Sequence, residues 1–376
     1  MSMKKFTKKM LAIVAAAAMT MGLAMPAFAS EAGTEGAKVS EAYISKTYNT
    51  KVGKAFNFNF TATPVGNNHS ITMPVIAFTE TETGSNTKVG KIDFGTFTEA
   101  GKYVYTVKEG AVTPEFTDSE HEKLIMSQAE YKMDVYVVQD GANFNIENII
   151  VNKTKDDKGN TATGKVDIGS NPTNNGFRFE NTYVQEAGTG TDPTNPDPEY
   201  AKSGSLKVSK EIAMANREAV DAEKEFDFTA TFTFPTGTDA NTLGGVKANG
   251  NDITLTAGNT YTFKLKHNGN VKFTGLPVGT IISVTEAATP NYKGSAAVMI
   301  NGENVETATA DQYNAVLTVS NKTLGQKKNA VDVTNEYNNV PTTGIIMNTL
   351  PYVLMVALCG AALVAFVASK RRKVQK

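Results

Sequence analysis

The sequence predicts an all-β protein built as two tandem β-sandwiches. Three observations carry that expectation. Short runs alternate apolar and polar residues, the period of a strand with one buried face. KAFNFNFTATPV puts Phe56, Phe58 and Phe60 on one side, and KYVYTVKE, EYKMDVYVVQDGANFNIENIIV and KEFDFTATFTF follow the same rule. Turn dipeptides punctuate these runs: Asp140-Gly141, Asn249-Gly250, Asn268-Gly269 and Asn301-Gly302 are hairpin signals. Finally, the chain repeats itself once. AYISKTY matches LKVSKEI, NFNFTAT matches DFTATFTF, YTVKEG matches SVTEAA, and FRFENTY matches VDVTNEY. The repeat is a whole domain rather than a solenoid unit. Its short strands favour sandwiches of the immunoglobulin-like kind. One stretch, Asp118 to Ala129, could hold a short helix.

The elements follow in order. Residues 1–29 read as a secretory signal peptide: four lysines lie within Met1 to Lys9, an almost wholly apolar run spans Met10 to Met25, and Ala27-Phe28-Ala29 offers a cleavage site. Residues 30–185 and 205–339 are the two sandwiches. Between them, residues 186–204 are rich in proline and glycine with no apolar period, which reads as a linker. Residues 340–376 hold Val340-Pro341-Thr342-Thr343-Gly344, then an apolar run from Ile345 to Ser369, then Lys370, Arg371, Arg372 and Lys373. The run is long enough to span a bilayer, and the basic end would stay cytoplasmic. The three parts together resemble the cell-wall sorting signal of Gram-positive surface proteins, with Val in place of the usual Leu. That resemblance implies attack by a sortase cysteine on the Thr343 carbonyl, expelling Gly344 onward.

Composition fits an exported module of near-zero net charge. The single cysteine, Cys359, lies in the apolar run, so no disulfide can form in the exported part. Formal net charge is −1 and tryptophan is absent. Nothing points to nucleic acid, which would favour a basic excess. His69, His121 and His267 are scattered, and neither metal-ligand spacing nor a nucleophile elbow is present. A turnover enzyme is therefore not expected, nor is a cofactor or metal.

The two-residue period has an unexpected consequence. Lys46 shares a face with Ile44, and Lys210 with Leu206 and Val208. Glu109 shares one with Tyr105 and Val107, and Glu286 with Ile282 and Val284. Asn181 shares one with Phe177 and Phe179, and Asn335 with Val331 and Val333. Each half thus places one Lys, one Glu and one Asn at the end of an apolar face, in the same order. Singly, each has an ordinary explanation as a rim or turn residue. Their joint repetition favours chemistry. A buried lysine tends to lose its proton and a buried glutamic acid to keep its own. A neutral amine is a nucleophile, and an acid can polarise a carboxamide and carry a proton to leaving ammonia. Amine and amide held close would exchange to a Lys–Asn isopeptide bond.

On these motifs, the V-x-K-like first strand, the V-[TK]-E strand and the final [FV]-x-N strand, both halves resemble the isopeptide-forming domains of streptococcal-type major (backbone) pilins. First-strand Ile44 and Lys108 depart from the usual pattern without changing the chemistry. The resemblance implies bonds Lys46–Asn181, assisted by Glu109, and Lys210–Asn335, assisted by Glu286. It implies a pilus shaft subunit, polymerised by sortase and anchored to peptidoglycan at the Gram-positive cell surface. The partners it implies are sortase, identical subunits and peptidoglycan, with minor pilins and a host ligand beyond them. Two-domain pilins use an acceptor lysine late in the first domain. Lys153, Lys155, Lys158 and Lys165 lie there, and Lys153 follows the strand-like NIIV most directly. The alternative is a monomeric wall-anchored adhesin or a basal pilin, which would need the same signals and stapled domains.

Overall fold

A computed structural model describes residues 38–66, 68–213 and 221–338. The expected signal peptide and the sorting signal, with Thr343 and Gly344, lie outside the described residues. Among those described, no helix is long and apolar enough to cross a membrane. Both halves fall in one compact unit beginning at Ser40.

The first half contributes β1 (Tyr43–Thr50), β2 (Phe56–Val65), β3 (Ile76–Phe78), β4 (Gly84–Lys91), β5 (Gly101–Thr113), β6 (Glu122–Ile125), β7 (Glu130–Asp140), β8 (Asn143–Lys155) and β9 (Arg178–Gln185). They form a four-stranded sheet, β4-β1-β9-β6, and a five-stranded sheet, β3-β2-β5-β7-β8. Aromatic side chains join the sheets: Phe60 of β2 lies 5.1 Å from Phe179 of β9, and Tyr131 of β7 lies 4.8 Å from Phe177. Phe56, Phe58 and Phe60 are all buried, as their spacing requires.

After helix α1 (Pro198–Ser203), the second half adds eleven strands. They are β10 (Leu206–Ala213), β11 (Phe226–Thr233), β12 (Lys247–Ala248), β13 (Asn251–Asp252), β14 (Thr260–Leu265), β15 (Asn270–Thr274), β16 (Ile281–Glu286), β17 (Tyr292–Ile300), β18 (Glu303–Thr309), β19 (Leu317–Thr323) and β20 (Ala330–Tyr337). A seven-stranded sheet, β13-β12-β15-β10-β20-β17-β18, faces a four-stranded one, β14-β11-β16-β19. Phe232 meets Phe273, and Phe226 meets Tyr292, between them. Three of the four hairpin signals, Asp140-Gly141, Asn249-Gly250 and Asn301-Gly302, join paired strands. Asn268-Gly269 makes no hairpin: it carries the chain from β14 to β15, which lie in different sheets. Asn249 and Gly250, like Asn301 and Gly302, both have positive φ between paired strands, as a two-residue turn demands.

One expectation is corrected. Asp118 to Ala129 is not helical but holds β6, which pairs with β9. Burial there alternates, with Glu122 and Leu124 inside, so the period is two rather than 3.6. Glu122 is inside because Tyr183 donates its hydroxyl to it at 2.5 Å and Lys54 reaches it at 3.2 Å. The short helix is α1 instead, opened by Pro198 at its first turn.

The stretch between the sandwiches connects them; its two ends are buried, while residues 191–202 are mostly exposed. Its ends continue the backbone pairing into the second sandwich: Val278 N–H donates to Gln185 at 2.8 Å, Ala187 N–H to Leu276 at 2.9 Å, and Gly190 N–H to Gln326 at 2.7 Å. Gly188, at φ +83°, passes so close to Gly204 that a Cβ would meet its carbonyl oxygen at 2.2 Å. At the centre lies Glu186, buried. Its Oε1 accepts from Tyr200 Oη, Ser205 Oγ and the Gly275 N–H at 2.6–2.7 Å, and its Oε2 meets His121 Nδ1 at 2.7 Å. The hydrogen bond to Glu186 raises the His121 pKa. A carboxylate with four partners from both sides fastens one sandwich to the next. Glu186→Ala would leave buried donors unpaired, at a cost of about 1–3 kcal/mol for each group stranded. The expected outcome is rapid proteolytic cleavage within residues 187–203, against slow cleavage in the parent chain, read by limited proteolysis.

Candidate functional site

In each sandwich the first and last strands are neighbours and run parallel. β1 pairs with β9, opposing Lys46 to Phe179 and Tyr48 to Asn181. β10 pairs with β20, opposing Lys210 to Val333 and Ile212 to Asn335. In both, the asparagine stands two positions beyond the lysine's direct neighbour. Because side chains alternate, that offset returns it to the same face. The glutamate arrives from the facing sheet, Glu109 on β5 and Glu286 on β16. Each is cross-strand to a phenylalanine, Phe60 and Phe228 respectively. The preceding phenylalanine of each pair floors the amine: Lys46 Nζ lies 4.3 Å from the Phe58 ring centroid and Lys210 Nζ 4.2 Å from that of Phe226. FNFTAT and FDFTAT thus do the same structural work twice.

The six predicted residues meet as two triads. Lys46 Nζ donates to Glu109 Oε1 at 2.5 Å, and Asn181 Nδ2 donates to the same oxygen at 3.0 Å. Lys210 Nζ lies 3.0 Å from Glu286 Oε1, off the hydrogen-bond line, and Asn335 Nδ2 donates to that oxygen at 2.8 Å. Lysine side chains here are 0% exposed, and the two carboxylates 2% and 3%. Burial pulls both lysines down to about 8, against the opposing attraction of their glutamates. Burial likewise pushes Glu109 and Glu286 up, against the pull of the lysines. The directions converge on a neutral amine beside a carboxylic acid. Proton and pair belong together, so the titration is that of the pair.

The carboxamides are oriented differently from the simplest expectation, in which the acid bonds the amide oxygen. In the first sandwich, Asn181 Oδ1 accepts the Ser127 backbone N–H at 2.7 Å. That group is donor-only, so it fixes the oxygen, and the leaving nitrogen is the atom that faces Glu109. Nδ2 also lies 3.1 Å from Met126 Sδ. In the second sandwich, Asn335 Oδ1 has no protein hydrogen-bond partner. It lies instead beside Gly294 of β17, cross-strand to Asn335. A Cβ at Gly294 would meet Glu286 Oε2 at 2.9 Å and Asn335 Oδ1 at 3.0 Å. Ser127 and Gly294 were not legible in the sequence. Ser127 lies outside any strand, and Gly294 shares the buried face with Asn335 only through the β17–β20 register.

The remaining sequence candidates lie away from both triads. Lys153 is half-buried on β8, its Nζ 5.3 Å from the Tyr131 ring centroid. Lys155 pairs with Glu130 at 3.3 Å, while Lys158 and Lys165 are exposed. The stretch after β8 is hydrogen-bonded rather than loose. It folds back through Asp156 and bridges Lys155 to Thr161 and Asn152 to Lys165. The three histidines serve separate places: His121 meets Glu186, His69 stacks on Phe97, and His267 accepts the Ile212 N–H. Among the described residues, no group of three or more His, Cys, Asp or Glu could hold a metal.

Comparison with known proteins gives partial likenesses. A family described as a domain of unknown function (DUF7601) matches residues 204–337, the second sandwich. No curated protein matches. Among solved structures, the chain is similar to the major pilin protein (T3.2) from Streptococcus pyogenes at 20% identity and TM-score 0.33, covering 80% of this chain and 99% of that one. A second major pilin from Streptococcus pyogenes gives 19%, 0.31, 80% and 99%. The pilus-presented adhesin Spy0125 (Cpa) gives 11%, 0.26, 79% and 99%. Superposition at this level carries neither fold nor function across.

The Gly294 contact makes a specific test of the second triad. Gly294→Ala inserts a methyl where Glu286 and Asn335 stand, and both are too buried to step aside cheaply. Any chemistry joining Lys210 to Asn335 should slow by about tenfold or more, a displacement of about 1 Å being worth that and beyond. The first triad should be unaffected. Site-resolved peptide mass spectrometry reads both in one sample.

Proposed function

We propose that the chain is a structural subunit of a cell-surface pilus shaft, stapled internally by two Lys–Asn isopeptide bonds and joined to its neighbours by sortase. The observation that carries this reading is the duplicated buried triad. Two corresponding pairs of strands, one in each sandwich, each bring amine and carboxamide together with the same offset beneath an acid from the facing sheet. Lysines that are entirely buried are rare unless paired. Here both are paired to acids whose pKa burial raises. The reaction balances: the Lys46 or Lys210 amine adds to the Asn181 or Asn335 carbonyl carbon, and the amide nitrogen departs as ammonia. The glutamic acid relays the amine's proton to that nitrogen. Each triad is consumed once, so this is maturation and not turnover. A buried ionisable amine and a buried carboxamide become one neutral amide, and the glutamic acid is left without a charged partner.

The ends of the sequence support the rest of the reading. An export signal, a VPTTG pentapeptide, an apolar span and a basic tail in that order match what a sortase needs. Thr343 then supplies the acyl group, and the acceptor amine comes from a second copy. Lys46 and Lys210 are excluded because they are consumed inside. Among the other lysines, the resemblance to two-domain pilins points to Lys153 and Lys155 at the end of β8 and to Lys158 and Lys165 just after it.

Two experiments test this. Intact-mass measurement of the fragment 30–343 should find it lighter than its sequence mass by two ammonia molecules. Glu109→Ala and Glu286→Ala should each restore one, although no bonded residue is changed. A parent chain with no deficit would end the isopeptide reading.

The second experiment separates shaft from adhesin. Expressed with its sortase, the parent chain should give a high-mass ladder in cell-wall extracts. Lys153→Arg is the first variant to examine, and the four-lysine Arg variant should leave only wall-attached monomer. Guanidinium keeps the charge but cannot attack a thioester. A parent chain that never forms a ladder belongs instead to the monomeric adhesins. A ladder that survives loss of all four lysines moves the acceptor elsewhere.

A further inference from the structure

The orientation of Asn181 leaves a question that the triad alone does not answer. Glu109 faces the nitrogen of the carboxamide, so it is placed to receive the leaving group and not to polarise the carbonyl. Attack by an amine puts negative charge on Oδ1. In the first sandwich one group waits there, the Ser127 N–H at 2.7 Å. Ser127 is buried, in the segment between β6 and β7.

That segment is held from outside the core. Ser127 Oγ donates to Asp157 Oδ1 at 2.6 Å and accepts the Ala129 N–H at 3.2 Å. The Gln128 N–H donates to the Asp157 carbonyl at 3.1 Å. Asp157 Oδ1 also accepts the Glu180 N–H at 2.9 Å, one residue before Asn181. A single carboxylate oxygen therefore ties the donor's residue to the strand that carries the acceptor. Nothing equivalent serves Asn335, whose Oδ1 has no protein donor.

We infer that the Ser127 N–H is an oxyanion donor for amide exchange at Asn181, and that Asp157 is the positioning residue that aims it. This rests on the proposed Lys46–Asn181 chemistry and adds to it. Preorganised backbone donors of this kind are worth about 10²–10³ in rate when removed outright. Loosening one through its anchor is expected to cost about tenfold or more. The first sandwich polarises its carbonyl with the backbone, while the second offers its Asn335 Oδ1 no such donor.

Electrostatics alone predicts the opposite sign, which makes the test sharp. The charge of Asp157 favours the protonated form of Lys46. Removing that charge should free the amine and speed attack. Chain freshly made in a cell-free system is sampled over time, quenched and digested. Ammonia loss is then read at each site, with the Lys210–Asn335 bond as internal clock. Asp157→Ala should slow the first bond by about tenfold or more relative to the second. Asp157→Asn keeps the acceptor oxygen without the charge and should restore the parent rate or exceed it. Ser127→Ala keeps the N–H but cuts its tether, so it should slow the first bond as Asp157→Ala does; it also serves if Asp157→Ala fails to fold. First-bond rates unchanged or raised in both Ala variants would overturn the inference, as would an Asn variant as slow as Ala. No first bond in the parent chain would instead defeat the underlying reading.

Discussion

The structure turns on an amine and a carboxyl group buried together. Taking both ions out of water is costly, and their mutual attraction repays it only with excellent geometry. Here the geometry is incomplete by that standard. Glu109 Oε2 has no partner, and Lys210 Nζ meets its acid only at ion-pair distance. A pair kept for stability would be better satisfied. The shortfall makes physical sense if the neutral forms are the working ones, since an unpaired oxygen on a protonated acid costs less than on a carboxylate. What would be a defect in a static core is what the proposed amide exchange would require.

The same point fixes the topology. Amine and carboxamide must come from different strands, side by side, with the acid across the core. Placing the first and last strands in parallel achieves this and sends the two chain ends to opposite ends of the sandwich. Under tension such a pair would be loaded in shear along its ladder. The proposed covalent link between the strands would carry that load directly, and it would close a loop on the order of 100 residues, about 5 kcal/mol on the disulfide analogy. The Glu186 cluster continues the path from β9 into β10 without a slack segment between. Gly188, Gly190 and Gly204 lie in the buried ends of that stretch, where composition by itself reads as a spacer throughout.

Much of this was legible in sequence because strands have a period of two. Alternation alone put Lys46, Glu109 and Asn181 on the core face, and duplication made the pattern hard to dismiss. What stayed hidden depends on register and on loops. Ser127 acts through its backbone, which side-chain identity does not advertise. Asp157 looks like one acid in a polar, lysine-rich turn. Gly294 matters for the atom it lacks. β6 escaped notice because its inward residues include Glu122, whose burial is set by Tyr183 and Lys54 from other elements. In each case the deciding partner is distant along the chain.

The two sandwiches also show how far a duplicated site can diverge while keeping its chemistry. Lysine, acid, asparagine and the phenylalanine under the amine are retained with their strand offsets. The surroundings of the carboxamide oxygen are not. One side supplies a tethered N–H from the β6–β7 segment, a segment the second sandwich replaces with a different course from β16 to β17. The other side supplies only space, kept open by Gly294. An acid that faces a fixed nitrogen can serve as proton acceptor for the leaving group, and the charge on oxygen falls to the backbone. An acid beside an amide that nothing else holds can meet either atom, and the cost is a less ordered approach. The chemistry requires three side chains; its speed is left to whatever the neighbouring loop provides.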